Sequence, residues 1–175
     1  MSGLRIGLAV AAAVLIIDQV SKFVLLEWVM RPSGVTETPF FTDKIVEVLP
    51  FFNFRMAWNT GISFSMFDGG GWRTYVLLAL QLSITAGLVW WLRTLQGRLT
   101  LVATGLIIGG AIGNIIDRIR WGAVADFFDF HVAGWHFATF NVADSCITIG
   151  VILLLLDAVL HRDHHKAEDS GTGAR

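Results

Sequence analysis

Polar positions cut the chain into long apolar runs. Residues 74–92 carry no charge between Arg73 and Arg93, and residues 99–116 carry none between Arg98 and Asp117. Residues 145–156 are clean between Asp144 and Asp157, and the run reaches spanning length when 140–160 is taken as one helix. The first run extends from about Leu4 to Met30 and is broken only by Asp18, Lys22 and Glu27. A helix that crosses a bilayer needs about 20 mostly apolar residues. The pattern therefore predicts four spans, at about 4–30, 73–92, 99–118 and 140–160. The N-terminal run does not read as a cleaved leader: Asp18 and Lys22 stand where a small-residue cleavage site belongs, and apolar residues resume at Phe23.

The intervening segments differ in character. Residues 31–71 hold Pro32, Pro39 and Pro50 and the β-type runs Lys44–Leu49 and Phe51–Trp58. They predict a small β-rich element with aromatic faces on the membrane surface, then a flexible Gly69-Gly70-Gly71 lead into the second span. A further extramembrane stretch, 119–139, joins spans three and four, and 93–98 is a short turn. The polar tail 161–175 is expected to be disordered.

Composition agrees with the pattern. The 175 residues are 54% hydrophobic and 15% charged, against roughly 25% charged in ordinary soluble domains. A compact soluble fold of this size has too little interior to hide that apolar surface. The net charge of -1, without a basic stripe, excludes a nucleic-acid partner. Cys146 is the single cysteine, so an intrachain disulfide and a cysteine metal cluster are excluded, and it reads as a small buried apolar residue. With four spans both termini share a side. Arg5, Arg93, Arg98, Arg162, Lys166 and Arg175 crowd the short segments of that side, whereas Arg31, Lys44, Arg55, Arg73, Arg118 and Arg120 are spread over more than twice the length. That density places the termini in the cytoplasm.

Charged groups inside a span are costly and point to function. Asp18 and Lys22 stand at i,i+4 on one helix face, either as an ion pair locking helix packing or as part of the chemistry. Read as a self-contained pair, the two could be replaced together by leucines with partial recovery of stability. Asn114 and Asp117 share a face at i,i+3, with Arg118 beside them, at the outer end of span three. Asn141 and Asp144 repeat the spacing at the outer start of span four. Asp126 and Asp129 lie in the outer connection, and Asn59-Thr60-Gly61 ends the β-rich element. All these groups are expected to converge at one depth. Two carboxylates meeting there share a proton, one acting as base toward water and the other as acid. There is no GxSxG or HExxH motif, and Ser21 and Lys22 are adjacent, the wrong spacing for a helical dyad. His131 and His136 read as surface or interfacial groups, and His161, His164 and His165 as a solvated cluster.

Five blocks then occur in one order: Asp18-Gln19-Val20-Ser21-Lys22, Asn59-Thr60-Gly61-Ile62-Ser63-Phe64, Gly113-Asn114-Ile115-Ile116-Asp117-Arg118, Val124-Ala125-Asp126-Phe127 and Phe140-Asn141-Val142-Ala143-Asp144. Together they resemble the bacterial lipoprotein signal peptidase (signal peptidase II) family, over nearly the whole chain. The resemblance implies an α-helical integral membrane protein of four transmembrane helices, with an extramembrane β-cradle at 31–71 on the periplasmic side. It also implies an inner-membrane aspartic endopeptidase that removes the signal peptide from diacylglyceryl-modified prolipoproteins, cutting before the lipidated cysteine. Asp126 and Asp144 match the catalytic pair, Asp126 lying eight residues after Arg118 where Asp129 does not. Asn59, Asn114, Arg118 and Asn141 match a polar shell orienting the pair and the substrate backbone, and Asp18 and Lys22 match supporting positions. Ser63 departs from the alanine common in its block. No metal or cofactor is implied. The expected partners are lipidated prolipoproteins, membrane lipids and globomycin-type inhibitors, and a monomer is the expected state.

Two readings of other classes compete. A transporter would use Asp18, Lys22, Asp117 and Asp144 as a proton relay, but spans two and four are apolar along their inner halves. An assembly factor held together by its glycine faces would have no activity. Incubation with a lipidated prolipoprotein separates all three.

Overall fold

The computed structural model describes residues 3–38, 42–61 and 72–171. Helix α1 covers Gly3–Val24 and continues through a π-helical turn, Leu25–Val29. Strands β1 (Ile45–Leu49) and β2 (Phe52–Asn59) follow, then helices α2 (Trp72–Trp91) and α3 (Arg98–Trp121). Strands β3 (Val124–Val132) and β4 (Trp135–His136) lead to α4 (Val142–Gly171). Gly3–Val29, Arg98–Trp121 and Val142–Leu160 are long and apolar enough to cross a membrane, whereas the apolar stretch of α2, Tyr75–Trp91, is shorter. The Gly69–Gly71 lead and Ile62, Ser63 and Phe64 lie outside the described residues.

Helix α3 is the centre of the bundle and packs against α1, α2 and α4. Its glycines allow that. A Cβ at Gly109 would come 2.5 Å from the Ala11 carbonyl oxygen, and one at Gly110 would come 2.5 Å from that of Ala143. Close backbone approach of this kind is how helices associate where water supplies no driving force. Leu92, Ala11, Leu101 and Ile108 close one end of the bundle.

Two boundaries differ from the sequence expectation. Helix α3 runs on to Trp121, until Gly122 takes a left-handed conformation (φ 72°) and donates its N–H to the Arg118 carbonyl. Helix α4 continues past 160 to Gly171, so 161–171 is helical rather than disordered. That stretch holds no proline or glycine before Gly171, and Lys166, Ala167 and Glu168 are strong helix formers.

The β-rich element is also larger than expected. Its sheet has the order β1-β2-β3-β4, with every pair antiparallel, and takes half its strands from the connection between α3 and α4. Valine and phenylalanine dominate Val124–Val132, a strand composition interrupted by two aspartates. The β3–β4 turn, Ala133-Gly134, has φ of 50° and 81°, matching the two-residue type I′ hairpin. A bulge between Phe54 and Ala57 opposes two β2 residues, Arg55 and Met56, to Phe127 alone, one residue more than regular pairing allows. It switches the alternation of β2, so that Asn59 shares a face with Asp126. Further along that face Phe52 packs on Phe54, Phe128 and Phe130, and Phe130 stacks on Phe140 at 5.8 Å. Leu26 of the π-helical turn and Met30 just after it meet Met56 and Ala125, which fastens the sheet to the C-terminal end of α1.

Candidate active site

Local structure delivers the polar residues to one place. The left-handed cap at Gly122 turns the chain out of α3 directly into β3, four residues before Asp126. Phe140 bridges to Phe128, accepting N–H bonds from Phe127 (3.2 Å) and Phe128 (2.9 Å). Asn141 therefore enters beside Asp126. There it forms a reciprocal cap on α4: its Oδ1 accepts the Asp144 N–H at 2.9 Å, and its own N–H donates to Asp144 Oδ2 at 3.2 Å. Such a box satisfies two orphan donors of the first turn and fixes both side chains.

Asp126 is buried on β3 and receives two amides, Asn141 Nδ2 at 2.7 Å and Asn59 Nδ2 at 3.1 Å. The other end of Asn59 accepts the Gly61 N–H at 3.0 Å, which settles which way its amide points. Half-buried Asp144 receives Asn114 Nδ2 at 2.8 Å. The two carboxyls face one another closely enough to bond. Burial and then the Asp144 charge push Asp126 from an ordinary 3.8 up to about 7, against the opposing pull of the two asparagines. Arg118 lies alongside, its charge acting most on Asp144, then on Asp126 and Asp117.

A second polar layer lies beneath. Lys22 Nζ contacts Asp117 Oδ2 at 2.7 Å, Asp18 Oδ2 at 2.8 Å and Asn114 Oδ1 at 3.3 Å, and all four residues are buried. Asp18 Oδ1 accepts the Ala143 N–H at 3.0 Å, so the carboxylate sits at the positive end of α4. Asp117 Oδ2 also accepts the Ala125 N–H at 3.2 Å, next to Asp126 in β3. Gln19 Nε2 ties the two acids together, 3.1 Å from Asp18 Oδ2 and 3.2 Å from Asp117 Oδ1. Asp18 and Lys22 are thus not a self-contained pair but half of a network spanning α1, α3, α4 and β3.

All eight residues singled out in the sequence come together here: Asp126, Asp144, Asn59, Asn114, Arg118 and Asn141 in the upper layer, Asp18 and Lys22 below. Asp129 stands apart. It points from the other face of β3, is fully buried, and holds both carboxylate oxygens 2.9 Å from His136 Nδ1. Cys146 is free and half-buried on α4. Among the described residues no three His, Cys, Asp or Glu side chains are arranged to hold a metal ion.

A family model described as signal peptidase (SPase) II matches residues 10–160. The chain belongs to the signal peptidase II family. It is 41% identical over 150 residues to the lipoprotein signal peptidase of Coxiella burnetii, covering 84% of this chain and 85% of that one. Identity to the Shewanella sediminis protein of the same name is 42% over 172 residues, covering 96% and 90%. A bacterial membrane enzyme solved by the in meso method at 1.9 Å superposes with a TM-score of 0.68 at 30% identity, covering 87% of this chain and 91% of the other. With its helices of spanning length, this signal peptidase II family member is a multi-pass membrane protein.

Three members of the site carry no assigned role in the sequence reading. Asp117 is expected among the converging polar groups, and in the rival relay, but without a partner; an acid that deep needs a cation, and Lys22 is within reach. Gln19 lay unremarked between Asp18 and Lys22. Gln81 accepts Arg118 Nη1–H at 3.0 Å, and its signal is that it is the lone amide in the apolar run 74–92.

Proposed function

We propose that this chain is an aspartic endopeptidase that removes signal peptides from diacylglyceryl-modified prolipoproteins, cleaving before the lipidated cysteine. Asp126 and Asp144 activate the water. The observation that carries the reading is the meeting of these two carboxyls from separate elements, each held by asparagine amides and flanked by Arg118. The substrate class rests on kinship with the lipoprotein signal peptidases.

Two carboxyls this close hold one proton between them. Asp126 is the more buried and keeps the proton near neutral pH. Asp144 faces the Asn114 amide and its own capping N–H groups, donors that fit a carboxylate. Asp144 then takes a proton from water as the hydroxyl attacks the scissile carbonyl, while Asp126 gives its proton to the carbonyl oxygen. The tetrahedral intermediate collapses as a proton passes back to the leaving amine. Asn59 and the Arg118 guanidinium supply fixed dipole and charge as the oxyanion develops.

We further propose four spans with both termini cytoplasmic, α2 crossing together with its shorter apolar stretch, and the sheet lying on the periplasmic face of the inner membrane. Acyl chains of the substrate stay in lipid while the scissile bond reaches the polar layer, the position globomycin-type inhibitors would occupy. The test is incubation of purified protein with a diacylglyceryl-modified prolipoprotein. Release of the signal peptide from the lipidated substrate alone is the expected result. Intact substrate, with protein shown to be folded, would overturn the proposal.

A further inference from the structure

Arg118 stands beside three carboxylates and, among the described residues, forms an ion pair with none of them. This is unusual chemistry, because a guanidinium next to a carboxylate ordinarily docks on it through two parallel bonds. Here Nη1 donates instead to a neutral oxygen, Oε1 of Gln81, at 3.0 Å. The Nε–H is shielded from solvent and has no protein partner. A guanidinium is a rigid plane of five donors, so one strong bond at Nη1 sets the direction of the rest.

The fold prepares this contact. Helices α2 and α3 are joined by the short turn 92–97 and run antiparallel. Helical side chains lean toward the N-terminus of their own helix. Arg118 therefore leans down α3 while Gln81 leans up α2, and they meet between the helices. One turn along α2, the buried Thr85 hydroxyl donates to the Gln81 carbonyl at 2.7 Å, fixing the backbone that carries the amide.

We propose that Gln81 is a positioning residue that holds the Arg118 guanidinium off the Asp126–Asp144 pair, so that the cation polarises the site without docking on either carboxylate. The proposal rests on the reading of Asp126 and Asp144 as the catalytic pair. Docked on Asp126, Arg118 would drive off the proton held there; docked on Asp144, it would quench both the base that takes the water's proton and the charge that keeps Asp126 protonated. The charged groups around Arg118 are Asp144 from α4, Asp126 from β3 and Asp117 from its own helix. Lys22 of α1 is already engaged with Asp18 and Asp117. Neutrality at position 81 is what sets the balance.

The test measures kcat/KM against pH for full-length protein in lipid or detergent, with a lipidated prolipoprotein as substrate. Gln81→Leu frees Arg118 to dock, and the basic limb moves to lower pH by on the order of one unit, with kcat reduced more than KM is changed. Gln81→Glu pairs with Arg118 and cancels its field, and the basic limb moves to higher pH. Opposite displacements from one position support the proposal, since a merely structural role lowers the folded fraction without moving the profile. Unchanged profiles, or displacement of both variants in the same direction, overturn it. If Gln81→Leu does not accumulate as folded protein, the direction of the Gln81→Glu displacement decides alone. Wild-type-like turnover by Asp126→Asn would instead defeat the underlying reading of the pair, a separate outcome.

Discussion

Lys22 Nζ lies 3.3 Å from Oδ1 of Asn114, an amide on another helix, and thereby settles which end of that amide meets Asp144. Asn141 Nδ2 donates to the same oxygen at 3.2 Å. With two donors on its oxygen, Asn114 turns its Nδ2 outward, where it bonds Asp144 Oδ1 at 2.8 Å. The lower polar layer therefore orients the upper one. A lysine that does not touch Asp144 still decides the direction of the donor that does.

The pair of carboxyls gives the first prediction. Asp126→Asn and Asp144→Asn should each abolish cleavage of a lipidated prolipoprotein while leaving inserted, folded protein. Asp129→Asn is the control. Its side chain faces away and bonds His136, so most activity should remain. Turnover near wild type in either Asp126→Asn or Asp144→Asn would defeat the assignment.

The network beneath gives the second. Removing the ammonium by Lys22→Leu leaves Asp18 and Asp117 facing one another in low dielectric, a loss of about 3–5 kcal/mol. The double replacement Asp18→Leu with Lys22→Leu should not recover it, because Asp117 stays buried and the Ala143 N–H loses its acceptor. Thermal unfolding in detergent checks this. A double variant more stable than Lys22→Leu alone would show that the two residues do act as a self-contained pair.

The apolar runs located the helices, because lipid demands long uninterrupted hydrophobic segments. The polar residues converged because unsatisfied polar groups inside a bilayer are costly wherever they fall. What escaped was pairing between distant segments. Strand β3 was disguised by Asp126 and Asp129, which break an otherwise aromatic strand pattern. The alternation that puts Asn59 beside Asp126 depends on a bulge near Arg55 and Met56 with no local signature. The pairing of Asp117 escaped because its partners, Lys22 and Ala125, come from a different helix and from a strand.

A close contact supplies the third prediction. A Cβ on Gly113 would collide with the Asp18 carboxylate. Gly113→Ala should therefore displace Asp18 from the start of α4 and cost about 1–3 kcal/mol. Gly87→Ala on α2 meets nothing within 4 Å and should be neutral or gain up to about 1 kcal/mol. Equal unfolding temperatures for the two variants would count against the close fit at Gly113.

The fourth concerns orientation. In a Cys146→Ala background, a reagent confined to the periplasm should label a cysteine placed at Thr42 and miss one at exposed Gln96. The reverse pattern would invert the protein in the membrane and put the polar layer on the cytoplasmic side.

The last prediction links the chemistry to stability. Burial and the neighbouring Asp144 raise Asp126 from an ordinary 3.8 to about 7, so between those values the folded protein binds a proton that the unfolded chain releases. Stability therefore falls as pH rises through that window, because the folded state must either give up the proton or forgo the gain of ionising. Asp126→Asn keeps the shape, has nothing to ionise and removes the repulsion with Asp144. Below about pH 4 the two proteins should unfold at similar temperatures. Above pH 7 the variant should be the more stable, by on the order of 2–4 kcal/mol. Thermal unfolding in one detergent at pH 5 and pH 8 measures the difference, which must widen toward the higher pH. A gap of the same size at both values, or a wild type more stable at pH 8, would mean that Asp126 ionises as an ordinary carboxylate. The shared proton on which the mechanism turns would then be absent.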